Sequence, residues 1–246
     1  MPALTSAALL TAWEEGASQP ATQRALTLLA AAWPERSVDE WAHISIGERD
    51  GQLLRLREEL FGAKLEATAA CPQCGEQLEL AFSTQDIRVP GPTSSTPSEE
   101  GVRIEAAGYE VLCRLPTSAD VLEIAQAVAT DERDALLQRC VRVAQLGGAI
   151  VDVATLPDEV LSAVIDGMAQ ADPQAEVQIA LTCVACAHDW TLPFDILSYL
   201  WSEIEDWVRR LLLEVHTLAS VYGWSERDIV AMSPRRRQLY LDMVGA

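Results

Sequence analysis

Apolar residues recur every three to four positions over most of this chain and alternate in only a few short stretches. That pattern predicts an α+β protein that is mostly helical. Thr5 to Glu15 and Pro20 to Trp33 carry the helical spacing, and Pro34 ends the second segment. Leu53, Leu54, Leu56 and Leu60 suit one face of a further helix, with Gly62 as its C-cap. Residues 89–101 hold prolines, glycines and hydroxyl residues and predict a loop. Val102–Ala106 and Tyr109–Leu115 then predict a hairpin about Ala107-Gly108. Three helical segments follow. Pro116-Thr117-Ser118 opens the first, which runs through Val121, Leu122, Ile124, Ala125 and Val128. The second covers Asp131–Leu146, with Leu136, Leu137, Cys140, Val141 and Ala144 on one side. The third starts at Pro157.

The C-terminal pattern is the longest. An apolar stripe runs from Leu197 through Trp201, Ile204, Val208, Leu211 and Val215 to Tyr222, where Gly223 ends the helix. Ser225 is an N-cap with Asp228 three positions on, and Ser233 caps another helix with Pro234 at its first position. Three helices joined by tight turns are expected over 197–246.

The strand-like stretches that remain form a repeat. Residues 65–87 read LEATAACPQCGEQLELAFSTQDI and residues 177–196 read VQIALTCVACAHDWTLPFDI. Each is an alternating strand, a C-x-x-C turn, a second alternating strand ending in Phe, and Asp-Ile. Each unit is a β-hairpin too small to fold alone, with Cys71 and Cys74 at one turn and Cys183 and Cys186 at the other. Two thiolates do not fill a tetrahedral site, but two such knuckles facing each other make a four-cysteine zinc ribbon. Here 108 residues separate the halves, so the ribbon is split around an insert. Four thiolates leave no position for water, so one structural Zn2+ per chain is expected, with no catalytic metal. Iron in the same cage, vestigial cysteines and a redox C-x-x-C are the alternatives, although neither pair sits in a thioredoxin-like βα context. His188 is a possible substitute ligand and otherwise a turn residue. Cys113 lies in a strand pattern and Cys140 in a helix pattern, and both read as buried small apolar residues.

The expected organisation is an N-terminal helical region (1–62), the split zinc ribbon (63–88 and 176–196), an inserted α+β module (89–175) and a C-terminal helical region (197–246). Composition narrows what this can do. The net charge of −19 argues against nucleic acid and anionic membrane, which require clustered Lys and Arg. It favours solubility and a basic protein partner. No run of about 18 apolar residues predicts a membrane span, and the first residues lack the basic start of a secretory signal, so a cytoplasmic location is expected. There is no P-loop, dinucleotide fingerprint, nucleophile elbow or zincin motif, so no enzyme is expected. Trp201, Trp207, Trp224 and Tyr240 are core or docking residues. Arg236 and Arg237 belong to a local basic run that is solvated, paired with Glu203, Glu205 and Asp206, or facing a partner. These six are the candidate partner-binding set.

The knuckles CPQCG and CVACAHDW, the continuation PFDILSYLW and the tail EVHTLASVYGWSERDIVAMSPRRRQLYLDMV resemble the baseplate hub assembly chaperone family of contractile phage tails and contractile injection systems. The most specific part is the signature His216, Leu218, Ala219, Tyr222, Trp224, Ser225, Asp228, Ile229, Arg236, Arg237, Tyr240 and Leu241. The resemblance runs from about Ile46 to the end. Val184-Ala185 and Ala187 depart from the CPxCG form of the second knuckle while keeping the ligands. The resemblance implies a non-enzymatic assembly factor that binds hub or spike proteins, in the bacterial cytoplasm or on the particle. A permanent structural baseplate subunit and a nucleic-acid-binding zinc-ribbon factor are the competing readings.

Overall fold

The helical periodicity of the first sixty residues is realised as four helices in the computed structural model, which describes residues 4–89, 101–127 and 131–245. They are α1 (Ser6–Gly16), α2 (Ala21–Ala32), α3 (Val38–Ala42) and α4 (Ile46–Phe61). Thr5, Ser37 and Ser45 each accept a backbone N–H at the start of α1, α3 and α4, satisfying donors that a helix end leaves orphaned. Gly62, at φ 87°, closes α4 by donating its N–H to the Glu58 carbonyl. The chain then runs through β1 (Lys64–Ala70), β2 (Gln77–Ser83), α5 (Thr84–Ile87), β3 (Val102–Ala106), β4 (Tyr109–Cys113) and α6 (Ser118–Ala127). Next come α7 (Glu132–Cys140), β5 (Val141–Leu146), β6 (Ala149–Ile150), α8 (Asp158–Ala171), β7 (Val177–Thr182) and β8 (Asp189–Phe194). The last elements are α9 (Ile196–Tyr222), α10 (Glu226–Val230) and α11 (Pro234–Val244). Most of the predicted 89–101 loop, residues 90–100, lies outside the described residues, as does Val128.

The chain divides into two compact units, residues 1–36 with 197–246, and residues 37–196. Every element among the described residues of the first is a helix. The predicted α9 stripe is its spine: Leu200, Ile204, Val208, Leu211 and Leu218 are fully buried, as are Leu26, Leu28 and Leu29 of α2. Gly223 ends α9 at φ 67°, and Ser225 and Ser233 cap α10 and α11 as the sequence predicts.

The described residues of the second unit hold three small antiparallel sheets: β1-β2, β7-β8 and the four-stranded β3-β4-β5-β6. One face of the last is covered by α8, and Ile104, Val111, Cys113, Cys140, Ala144, Val160 and Val164 form its core. Both cysteines are buried as expected, and burial pushes each thiol up to about 11. The predicted helix over Asp131–Leu146 is half right. Asp131 caps α7, but the helix stops at Cys140, and Val141–Leu146 is a strand paired with β4. Leu137, Cys140, Val141 and Ala144 suit one helical face, and all four are buried. That spacing also suits a helix handing over to a strand, and the β-branched Val141 and Val143 beside the open edge of β4 decide for the strand.

Two devices carry the chain back from the insert to the second hairpin. The 3-10 turn Pro173–Ala175 docks on the start of α4, where the Gly47 N–H donates to Asp172 Oδ2 at 2.8 Å. A Cβ at Gly47 would lie 2.1 Å from Asp172 Oδ1 and 2.8 Å from the Ala175 nitrogen, so only glycine permits this approach. Gln174 then accepts the Val89 N–H at 2.8 Å and donates to the Ile87 carbonyl at 3.3 Å. The segment that leaves the first hairpin through α5 and the turn that leads into the second are thereby clamped together.

Candidate metal centre

Each hairpin carries its apolar residues on one face. In the first, Leu65 pairs with Phe82, Ala67 with Leu80 and Ala69 with Leu78. In the second, Val177 pairs with Phe194, Ile179 with Leu192 and Leu181 with Trp190. Every member of the second set is the sequence counterpart of one in the first at a single constant offset, so the repeat read from the sequence is also a repeat of register. The turns match too. Cys71 N donates to Glu76 O and Gly75 N to Cys71 O, and Cys183 N donates to His188 O and Ala187 N to Cys183 O, all at 2.8–2.9 Å. The apolar faces meet in a small cluster of Cys71, Leu78, Cys183, Leu80 and Trp190, with Phe82 and Phe194 edge to face at 5.7 Å.

This brings the four cysteines together. Their Sγ atoms all lie within 4.8 Å of one another. The cross-knuckle pairs Cys71–Cys186 and Cys74–Cys183 stand at 3.7 and 3.6 Å. A tetrahedron with metal–sulfur bonds of about 2.3 Å has edges of about 3.8 Å, so the thiols already sit near the corners of a mononuclear cage. A disulfide needs sulfurs about 2.05 Å apart, which none of these pairs approaches. The donor set fits zinc or iron held by thiolates alone. His188 is outside the cluster; its ring stacks on Trp190 at 6.0 Å.

The thiols feel each other and the knuckle amides. N–H groups of Cys186 and Ala185 pull Cys183 down to about 7 against the effect of burial. At Cys74 the Glu76 N–H lowers the pKa, but the neighbouring Cys186 and Cys183 outweigh it and push it up to about 12. At Cys186 the His188 N–H lowers the pKa, while burial and the neighbouring Cys183 and Cys71 hold it above its ordinary value. The raised thiols of Cys74 and Cys186 keep their protons until a cation replaces them, so metal binding releases protons and acid reverses it.

The two knuckles share a left-handed backbone position that only the first fills with glycine. Gly75 takes φ 77° and its counterpart Ala187 takes φ 56°. An L-residue with a Cβ is strained there. Ala187→Gly is expected to stabilise the protein by about 0.5–1 kcal/mol, read as a higher urea midpoint at unchanged slope. A lower midpoint would show that the Ala187 methyl group contributes more than its strain costs.

The family described as T4 bacteriophage base plate protein matches residues 6–201. The chain belongs to this family. The baseplate match takes in both cysteine pairs and begins well before Ile46, where the sequence resemblance starts. It stops at Trp201, so the C-terminal signature lies beyond it. No curated protein and no solved structure gives a significant match.

The six aromatic and arginine residues of this baseplate protein singled out from sequence do not form one site. Trp201 is buried, donates to Glu205 Oε1 at 2.8 Å and lies under the Arg24 guanidinium at 4.7 Å. Trp207 is half-buried on α9. Trp224 stacks on Tyr222 at 4.5 Å and meets Tyr240 edge-on at 4.8 Å, with Arg236 5.8 Å from the Tyr240 ring. Arg237 turns inward. It is 2% exposed and donates to Glu214 Oε2 and to the Met232 carbonyl, each at 2.7 Å. A run of three arginines at a helix start gives no sign of which one is internal, and neither Glu214 nor Met232 is a neighbour at simple helical spacing.

Proposed function

We propose that this baseplate-family protein is a non-enzymatic assembly factor, a chaperone for the hub of a contractile tail, held in shape by one structural zinc ion. The observation that carries the reading is the family match over residues 6–201. The site chemistry supports it: four thiolates from two knuckles would saturate a tetrahedral zinc and leave no open position for a substrate or an activated water. Zinc is preferred to iron because a purely structural site needs no redox-active metal. The partners under this reading are hub or spike proteins. The net charge of −19 favours a protein surface over nucleic acid, and no helix among the described residues is long and apolar enough to cross a membrane. The chaperone would act in the cytoplasm of the producing bacterium.

The family description favours a second reading equally well, a permanent baseplate subunit. The two differ in the finished particle. Tagged protein purified from its native host is expected to bring hub or spike proteins with it while the chain is absent from mature particles. Stoichiometric presence in the particle would replace the chaperone with a structural subunit. Absence of every tail protein from both samples would end both readings.

A further inference from the structure

We propose that the outer face of α11 is a docking surface for an acidic amphipathic helix of another baseplate protein; this rests on the reading of the chain as a baseplate protein-binding factor. The helix is fixed in place from its inner side. Arg237 is buried against Glu214 and the Met232 carbonyl, and Tyr240 packs edge-on against the stacked rings of Trp224 and Tyr222. A helix so anchored presents its outer side in one orientation, which lowers the entropic cost of binding.

That outer side is apolar where a solvated helix would be polar. Leu239 and Met243, one turn apart, are 54% and 64% exposed. Arg236 lies one turn before Leu239 on the same stripe, and Arg235 is exposed beside it. Apolar knobs at i and i+4 are the spacing that a partner helix receives between its own ridges. Methionine is suited to such a surface because its flexible thioether adapts to the partner.

Charge selects the occupant. The chain carries −19 overall, yet α11 holds three arginines and a single acid, Asp242, which accepts a hydrogen bond from Gln238 at 2.8 Å. With Arg237 neutralised inside by Glu214, Arg235 and Arg236 remain as a basic flank to the apolar pair. The complement is a helix with two or three apolar residues on one face and Asp or Glu beside them, so that association is steered by opposite charge.

The test uses the full chain with p-benzoylphenylalanine in place of Leu239 or Met243, co-expressed with each of the other baseplate proteins of its particle. Irradiation is expected to join α11 to one of them, within a helical segment whose acidic residues flank the cross-linked face. Leu239→Ser with Met243→Ser, and Arg235→Glu with Arg236→Glu, should each weaken that complex by at least about tenfold. All four side chains are exposed, so circular dichroism should stay unchanged. Cross-linking to a second copy of this chain, or to a segment rich in Lys and Arg, would overturn the proposal. So would a baseplate partner that binds both double variants as tightly as the parent; the proposed function would then stand without this surface. If no baseplate protein binds at all, both fall.

Discussion

Cys183→Ser is expected to purify without stoichiometric metal and to melt well below the parent protein. The physical reason is the thinness of what else joins the two hairpins. Their shared core is Cys71, Leu78 and Cys183 with Leu80 and Trp190 at its edge, and two of those five residues are themselves candidate ligands. A two-stranded hairpin is marginal by itself in water, and β1-β2 and β7-β8 are each two-stranded. The metal would therefore supply most of the free energy holding them together. The loss should be on the order of 5 kcal/mol, below the roughly 10–16 kcal/mol of isolated zinc-finger peptides because three ligands and some packing remain. Elemental analysis by mass spectrometry, beside thermal unfolding in reductant, reads both effects. Cys71→Ser should behave the same way, since it stands in the equivalent place in the other knuckle. A variant that kept full metal and the parental melting curve would mean the four thiols do not share an ion. Acidification should release the metal from the parent protein as protons compete for the thiolates.

Asp120→Asn should cost about 3 kcal/mol, and the cost should fade in acid. Asp120 is almost fully buried and gathers five donors. Arg114 grips both carboxylate oxygens at 2.6 Å, Thr117 donates its N–H at 2.9 Å and its hydroxyl at 2.7 Å, and Arg139 reaches it at 3.2 Å. The Thr117–Asp120 exchange caps α6, and Arg114 N donates to the Cys140 carbonyl where α7 gives way to β5. One carboxylate thus ties the start of α6 to the point where the sheet begins. Burial works against the charge, but the Arg114 guanidinium and the Thr117 donors outweigh it and hold the pKa well below the ordinary value. Breaking a buried pair by removing one member costs about 3–5 kcal/mol, and the partial exposure of both arginines places this case at the low end. The folded pKa is lower than the unfolded one, so the unfolded chain binds the extra proton in acid. The stabilisation is complete above about pH 5 and is lost as pH falls through the unfolded value near 4 and towards the folded one. Urea unfolding at pH 7 and at pH 2.5 should show a large gap between parent and variant at the first and a clearly smaller one at the second, because most of the loss falls below the unfolded value. An equal gap at both would mean that the carboxylate acts through its shape and hydrogen bonds and not through its charge.

Local signals made much of this protein legible. The caps at Ser225 and Ser233 and the stops at Gly62 and Gly223 are each set by residues within a few positions of one another, and each is found where the sequence placed it. The knuckle repeat was legible for the same reason, because alternation on both sides of C-x-x-C is a local pattern. The failure at Val141 marks the limit. Leu137, Cys140, Val141 and Ala144 satisfy a helical period, and only the neighbouring β4 makes a strand of the last two. Residues 149–150 were likewise too short to announce an edge strand of the same sheet.

The sequence by itself determined most of the helices and their caps and the chemistry of the four thiols, because capping, periodicity and thiolate chemistry act over a few residues. Tertiary structure decided which distant groups meet. It brought Cys74 to within 3.6 Å of Cys183, 109 positions away, through the close approach at Gly47 and the Gln174 clamp. It also turned Arg237 inward to Glu214 while leaving Leu239 and Met243 in solvent. Such choices depend on packing and charge pairing between segments far apart in the chain, and a pattern read one window at a time does not contain them.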